Sequence, residues 1–397
     1  MMKSQSVSTQ SSDLYALNAP SNFWLCLPNP SPDLWHEAVR RALPCLQLPA
    51  HVRGEGDILA QTLGEERFGV DHWQLGVYKR VYYHLKPLIP RRIIQWMRKV
   101  YSWREDAVVQ PHWPVDERFV RFQWQVLKEV MLLAGVGSVQ YRALWPDMKS
   151  FGLVLTHDIE TATGQAFAAK IADLEESLGF RSSFNFVLER YTLDQGLMDD
   201  LRLRGFEVGC HGLKHDGKLY SSRSEFDKRS ARINALMKQH DMVGFRSPLT
   251  HRNPGWMQAL EMEYDLSFFD TDPFESIAGG SMTIWPFTIG HFAELPYTLV
   301  QDHSLTMIMN ETTPDIWLKK VEFLCRYHGL CLLNSHPDYL LEARTLKVYT
   351  EFLQNLQDRR DYWHALPRET ARWWRLRMQA DVAPLCTASL ADVEFAI

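Results

Sequence analysis

Six cysteines in 397 residues, none in C-x-x-C spacing, leave the chain without a disulfide framework or a thiolate zinc site. Cys26, Cys45, Cys210, Cys325, Cys331 and Cys386 are scattered, as buried free thiols are in a reducing compartment. No run approaches about 18 consecutive apolar residues, so no membrane span is expected. Basic charge is not in excess either. Lys and Arg number 43 against 48 Asp and Glu, a formal net charge of −5, which argues against a nucleic-acid protein. The opening MMKSQSVSTQSSDLYALNAP is polar and lacks the apolar stretch of a secretory signal. The expectation is a soluble, cytoplasmic protein that binds no nucleic acid.

Aromatic residues, by contrast, are plentiful. Fourteen Trp include Trp96 in RRIIQWMRKVYSW and Trp373 and Trp374 in ETARWWRLR. Packing accounts for most such residues, because Trp buries a large area. A basic aromatic segment, here Lys86 to Trp103, also suits peripheral contact with a membrane face. Residues 1–20, rich in Ser and Gln, read as disordered. Residues 21–147 read as mainly helical: HEAVRRALPCL and QWQVLKEVMLLAG carry apolar residues at helical spacing. Pro90 and Pro114 interrupt the run, and PLIPRR reads as a turn that opens a helix.

After about residue 148 the period changes. Apolar runs (GLVLTHD, SSFNFVL, FEVGCHG, MVGFRSP, YDLSFFD, FAELPY, LCLLNSH) alternate with helical stretches. That alternation implies parallel βαβ units. About seven strands suit a distorted (β/α)7-type barrel over residues 148–345, α/β in class, followed by C-terminal helices over 346–397. In such barrels the active site gathers at the C-terminal strand ends. The strand ends here carry Asp158 and Glu160, then His211 and His215, Arg246, Asp270 and Asp272, and His336 with Asp338. His211 and His215, at i and i+4, would share one face of a helical turn. With a strand-end carboxylate they make a two-His, one-carboxylate set suited to Zn²⁺, Co²⁺, Fe²⁺ or Mn²⁺.

The series THDIE, HGLKH, GFRSP, DTDP and NSHPD, in this order, resembles the polysaccharide deacetylase superfamily. That group comprises carbohydrate esterase family 4 and the nodulation-type deacetylase homology domain. The likeness spans roughly residues 150–345. ALPRETARWWRLR and YYHLKPLIPRR resemble the flanks of members from bacterial surface-polysaccharide gene clusters. The resemblance implies a barrel of about seven strands, a divalent metal, most readily Zn²⁺, and removal of N-acetyl groups from amino sugars. It implies that Asp158 is the catalytic base with Glu160 as metal ligand, or that Asp158 itself binds the metal. His211 and His215 would be ligands, Arg246 would hold the catalytic carboxylate, and His336 would be the acid. Asp270, Asp272 and Pro248 would meet substrate, although Asp270 and Asp272 also read as turn residues before Pro273.

The chain departs from the family at three places. The first motif reads Thr156-His157-Asp158-Ile159-Glu160 where T-F-D-D is usual. Gly212 stands where Ser or Thr is usual, and Asn334 replaces an apolar residue that lines the acetyl pocket. His157 reads as a core histidine; Asp302 and His303 could add a polar wall.

Amide hydrolysis needs these residue types. A metal polarises the carbonyl and acidifies water, a carboxylate takes a proton, and a histidine titrating near neutral pH protonates the leaving amine. The expected function is metal-dependent removal of an N-acyl group from an amino sugar or glycan, nucleotide- or lipid-linked, in surface-polysaccharide biosynthesis. The alternatives are a C–N hydrolase acting on a non-sugar amide or ureide, and an inactive barrel used for binding or as a scaffold.

Overall fold

The computed structural model describes residues 13–69, 72–74, 113–379 and 382–396. The basic aromatic segment Lys86 to Trp103, with its expected membrane contact, and the helix expected after PLIPRR lie outside the described residues. So do residues 1–12. Residues 13–20, expected to be disordered, are folded onto the barrel: Tyr15 is buried, and Asn18 donates to and accepts from the Thr288 backbone at 2.8 and 2.7 Å.

Eleven strands occur among the described residues: β1 (Ser138–Arg142), β2 (Phe151–Ile159), β3 (Ser183–Phe186), β4 (Glu207–Cys210), β5 (Gly244–Phe245), β6 (Tyr264–Asp265), β7 (Phe287–Ile289), β8 (Phe292–Glu294), β9 (Leu330–Ser335), β10 (Tyr362–His364) and β11 (Leu385–Ser389). β9, β2, β3, β4, β5, β6 and β8 pair in that order, all in parallel. β7 pairs antiparallel with β8. Single parallel bridges, Phe269 to Tyr297 and Leu299 to Leu333, link the far side back to β9. The result is a distorted (β/α) barrel with helical extensions.

β2 shows why the sequence builds this sheet. All nine of its residues are buried, as expected of a parallel strand covered on both faces. At its start Gly152 lies beneath Trp145, whose ring an added Cβ would meet at 2.8 Å. Helices Ala162–Ser177, Gln195–Leu203 and Arg223–Gln239 return the chain between strands. Each is capped by a short polar side chain (Thr161, Asp194, Ser222) accepting from the first turn. The cap therefore fixes where each strand-end loop stops and the next helix begins.

Seven of the twelve tryptophans among the described residues are buried in the core. Trp24, Trp145, Trp285 and Trp317 are fully buried. Trp374 packs beside Phe23 and Trp145, and Trp373 donates to the Leu144 carbonyl at 2.8 Å. N-terminal helices Pro32–Ala42 and Arg118–Ala134 pack together, and the segment before residue 70 is pinned to the barrel by an ion pair. Arg252, fully buried, donates to Glu65 at 2.8 and 2.5 Å and lies over the rings of Phe268 and Phe269. The C-terminal region holds strands as well as helices: β10 joins β2, and β11 pairs antiparallel with β1. No helix among the described residues is long and apolar enough to cross a membrane.

Candidate active site

Asp158 is the penultimate residue of β2 and is buried. Its Oδ1 accepts from Asn185 Nδ2 at 3.0 Å and Arg246 Nη1 at 3.1 Å, and its Oδ2 from Asn334 Nδ2 at 3.0 Å. Burial alone would push this carboxyl up. Arg246, His211 and His336 more than reverse that and hold it well below the usual range.

Arg246, just past β5, has no exposed surface and is aimed by four bonds. Nε donates to the Leu266 carbonyl at 2.8 Å; Nη1 reaches Thr156 Oγ1 at 2.9 Å, Asp158 and Asn334 Oδ1 at 2.5 Å. Asn334, expected only as a lost apolar wall, is thus a bridge between Asp158 and Arg246. Asn185, which the sequence reading did not single out, supplies a further donor.

Glu160 follows β2. Its backbone N–H donates to Asp338 Oδ2 at 3.0 Å, and Thr161 Oγ1 donates to the same carboxylate. Gly164 makes room for Asp338, which an added Cβ would strike. The Glu160 carboxylate lies 3.1 Å from His215 Nε2. Burial opposes its ionisation, but His215 above all holds it well below the usual carboxylate range.

One ligand atom from each of Glu160, His211 and His215 lies within 4.8 Å of the other two. The histidines do not share a helical turn, as the i, i+4 spacing suggested. Residues 211–215 form a loop with left-handed backbone at Gly212 (φ 69°) and His215 (φ 51°). That curl brings the rings to 5.1 Å between centroids. It also explains Gly212: besides the positive φ, a Cβ there would meet Pro248 Cδ at 2.6 Å. Pro248 is buried against this loop.

His211 Nδ1 lies 3.1 Å from the Arg246 carbonyl oxygen. A carbonyl can only accept, so Nδ1 carries the proton and Nε2 keeps its lone pair, the arrangement usual for a metal-ligating histidine. Burial pushes His211 down to about 4, so it is neutral at pH 7. A carboxylate and two imidazoles, one with its tautomer already set, fit a divalent ion of the zinc type.

His336 heads the turn after β9. Asp302 accepts from its backbone N–H at 2.9 Å and from Nδ1 at 2.7 Å. The expectation that His336 titrates near neutral pH is corrected by this partner. Burial would lower it, but Asp302, with help from Glu160 and Asp158, raises it to about 9. A raised histidine stabilises the fold fully below its unfolded value, about 6.5, and loses that contribution as pH climbs through its folded value. Asp302→Asn in chelator-treated protein is therefore expected to cost about 2 kcal/mol at pH 6 and much less at pH 10. Urea midpoints at the two pH values check this; an equal loss at both would refute it.

Asp270 and Asp272 lie elsewhere in the network. Asp270 is paired with Lys320 at 2.7 Å. Asp272 caps the turn at Phe274 N (2.9 Å) and accepts from Tyr297 Oη at 3.2 Å. Neither belongs to the two groups of His and carboxylate side chains that could hold a metal among the described residues, the second of which is Asp302, His303 and His336. His303 stacks on Tyr339, 5.2 Å between centroids.

No family model matches the chain, and no curated protein does. Solved structures do match. One is assigned as a polysaccharide deacetylase from Mycobacterium smegmatis, 17% identical over 61% of this chain and 97% of that one, with a TM-score of 0.48. Another is a probable polysaccharide deacetylase from Pseudomonas aeruginosa PAO1, 12% identical over 59% and 94%, TM-score 0.48. The chain resembles polysaccharide deacetylases. Puue Allantoinase also matches, 13% identical over 59% and 93%, TM-score 0.47. Identities this low bear on the fold alone.

Proposed function

We propose that the protein is a metal-dependent amide hydrolase that removes an N-acetyl or similar N-acyl group from an amino sugar. The observation that carries this reading is the side-by-side arrangement of a ligand set (Glu160, His211, His215) and two oppositely charged, separately aimed groups, Asp158 and His336. Glu160 rather than Asp158 is the carboxylate ligand, because Asp158 has its oxygens committed to Asn185, Arg246 and Asn334. The bound ion would polarise the amide carbonyl and acidify water.

Asp158 then takes the water's proton. A carboxylate held this acidic is a weak base, so it works only on water that is already acidified, which is why it stands beside the ligand set. His336, a cation at pH 7 with Asp302 fixing its Nδ1 side, has its other nitrogen available to protonate the departing amine. A value near 9 suits an acid whose product is an amine. Arg246 keeps Asp158 ionised and oriented. The amino sugar could be free, nucleotide-linked or lipid-linked, consistent with a role in surface-polysaccharide assembly.

A second reading, hydrolysis of a non-sugar amide or ureide, is supported by Asn334. Where the family has an apolar side chain against the acyl group, this one is buried and spends its amide on Asp158, Arg246 and Gln301. The test is acetate release from N-acetylglucosamine oligomers by zinc-loaded protein, beside a His336→Ala variant. Release that drops about 10²- to 10⁴-fold in the variant supports the sugar reading. Protein with zinc bound and no acetate released would exclude it, and ureides would be assayed next.

A further inference from the structure

Directly behind the site lies a hydrogen-bonded chain that the hydrolysis itself does not use. His157 Nε2 lies 2.7 Å from Glu175 Oε1, and His157 Nδ1 lies 2.8 Å from Ser335 Oγ. Glu175 also accepts from Ser182 Oγ at 2.6 Å and from Tyr349 Oη. Glu175, His157, Ser335, Ser182 and Tyr349 all have no exposed surface. The His157 ring stacks on Phe184, 4.7 Å between centroids and 26° from parallel.

Packing alone does not call for these residues. An aromatic hydrocarbon at 157 would keep the stack on Phe184 and spare the desolvation of an imidazole and a carboxylate, each costly unless fully bonded. What the polar chain adds is direction. His157 and Ser335 are register partners across the β2–β9 ladder. The residue after His157 is Asp158, and the residue after Ser335 is His336. Glu175 sits on the helix Ala162–Ser177, whose N-terminal cap follows Glu160. One chain of hydrogen bonds thus joins β2, β9 and the helix that begins just past Glu160.

We propose that His157 is a positioning residue, and that Glu175–His157–Ser335 sets the separation of Asp158 and His336 by locking the ends of β2 and β9 in register. It deepens, and rests on, the reading of Asp158 and His336 as base and acid. A fully bonded buried chain suits this task because its bonds are directional and, once satisfied, make the core around them rigid.

The deciding variant is Glu175→Gln, which alters the chain at its far end. It presents one acceptor and one donor where the carboxylate presents two acceptors to His157, Tyr349 and Ser182, and it replaces no atom of β2 or β9. In full-length, zinc-loaded protein we expect it to retain the metal while moving the His336 ring and Asn334 amide signals in NMR spectra. On an N-acetylglucosamine oligomer kcat falls about 10- to 100-fold, with KM held within about 2-fold. His157→Phe should act in the same direction and more strongly. Unmoved His336 and Asn334 signals in Glu175→Gln would overturn the proposal, as would loss of zinc with the signals otherwise unchanged. If His157→Phe does not fold, Glu175→Gln decides by the same signals. If the parent binds zinc but releases no acetate, the hydrolase reading fails, and the NMR signals still decide whether the chain positions the site.

Discussion

Replacing His211 and His215 together by Ala should abolish tight binding of a divalent metal, with the parent holding about one equivalent and the variant none. Four-ligand structural zinc sites are worth about 10–16 kcal/mol, or roughly 3 kcal/mol for each protein ligand. Two ligands then correspond to a loss of about 10⁴-fold in affinity. The geometry makes the loss specific. Glu160 would remain, but a lone carboxylate with its backbone tied to Asp338 offers a zinc-type ion one oxygen and no nitrogen. Elemental analysis after exhaustive dialysis checks the stoichiometry, and circular dichroism confirms that the variant is folded. Metal retained at one equivalent by the double variant would move the site away from these residues.

The second large effect is on stability. Arg246→Met keeps a long side chain but removes the only cation bonded to Asp158 among the described residues. Breaking a buried pair by removing one partner costs about 3–5 kcal/mol, because the other charge is left buried. Asp158 retains Asn185 and Asn334, so the lower part of that range applies. The sign of the pH dependence follows from the shifted carboxyl. In the parent its value is depressed, so its contribution is present above the unfolded value of about 3.9 and is lost only in strong acid. In the variant burial prevails and the value rises. The penalty is then largest near pH 7 and shrinks as pH falls through that raised value. Urea unfolding at pH 7 and pH 5 should show the gap between parent and variant narrowing. A double-mutant cycle with Asp158→Asn isolates the pair; an equal cost of Arg246→Met in both backgrounds would rule out the stranded-charge explanation.

The groups of the candidate site were legible because each sits where an apolar run ends, and a parallel barrel gathers those ends on one rim. Asp158, Glu160, His211, Arg246 and His336 announce themselves by residue type. Their supports do not. Asn185 and Asn334 are neutral amides in largely apolar strands, 27 and 176 positions from the carboxylate they hold, and nothing local marks them as its donors. Asp302 shows no pattern of its own and gains meaning only from His336 folding against it. The helical reading of the two histidines failed for a backbone reason. Spacing by four predicts a shared face only for a right-handed helix, and left-handed residues at 212 and 215 achieve the same approach by another path. His157 read as a core histidine, and it is buried; its bonds to Glu175 and Ser335, 18 and 178 residues away, depend on the register of β2 with β9.

Glu65 reaches Arg252 from outside the barrel, and Arg252 lies only six residues beyond Arg246. With residues before 148 cut away, the guanidinium would lose the carboxylate that accepts both of its ion-pair bonds, and breaking a buried pair by removing one partner costs about 3–5 kcal/mol. That is a large share of the 5–15 kcal/mol that separates most folded domains from their unfolded chains. The barrel and its leading segment are therefore expected to travel together as one stability unit. A recombination event that moved it without its leading segment would deliver a barrel weakened six residues from Arg246.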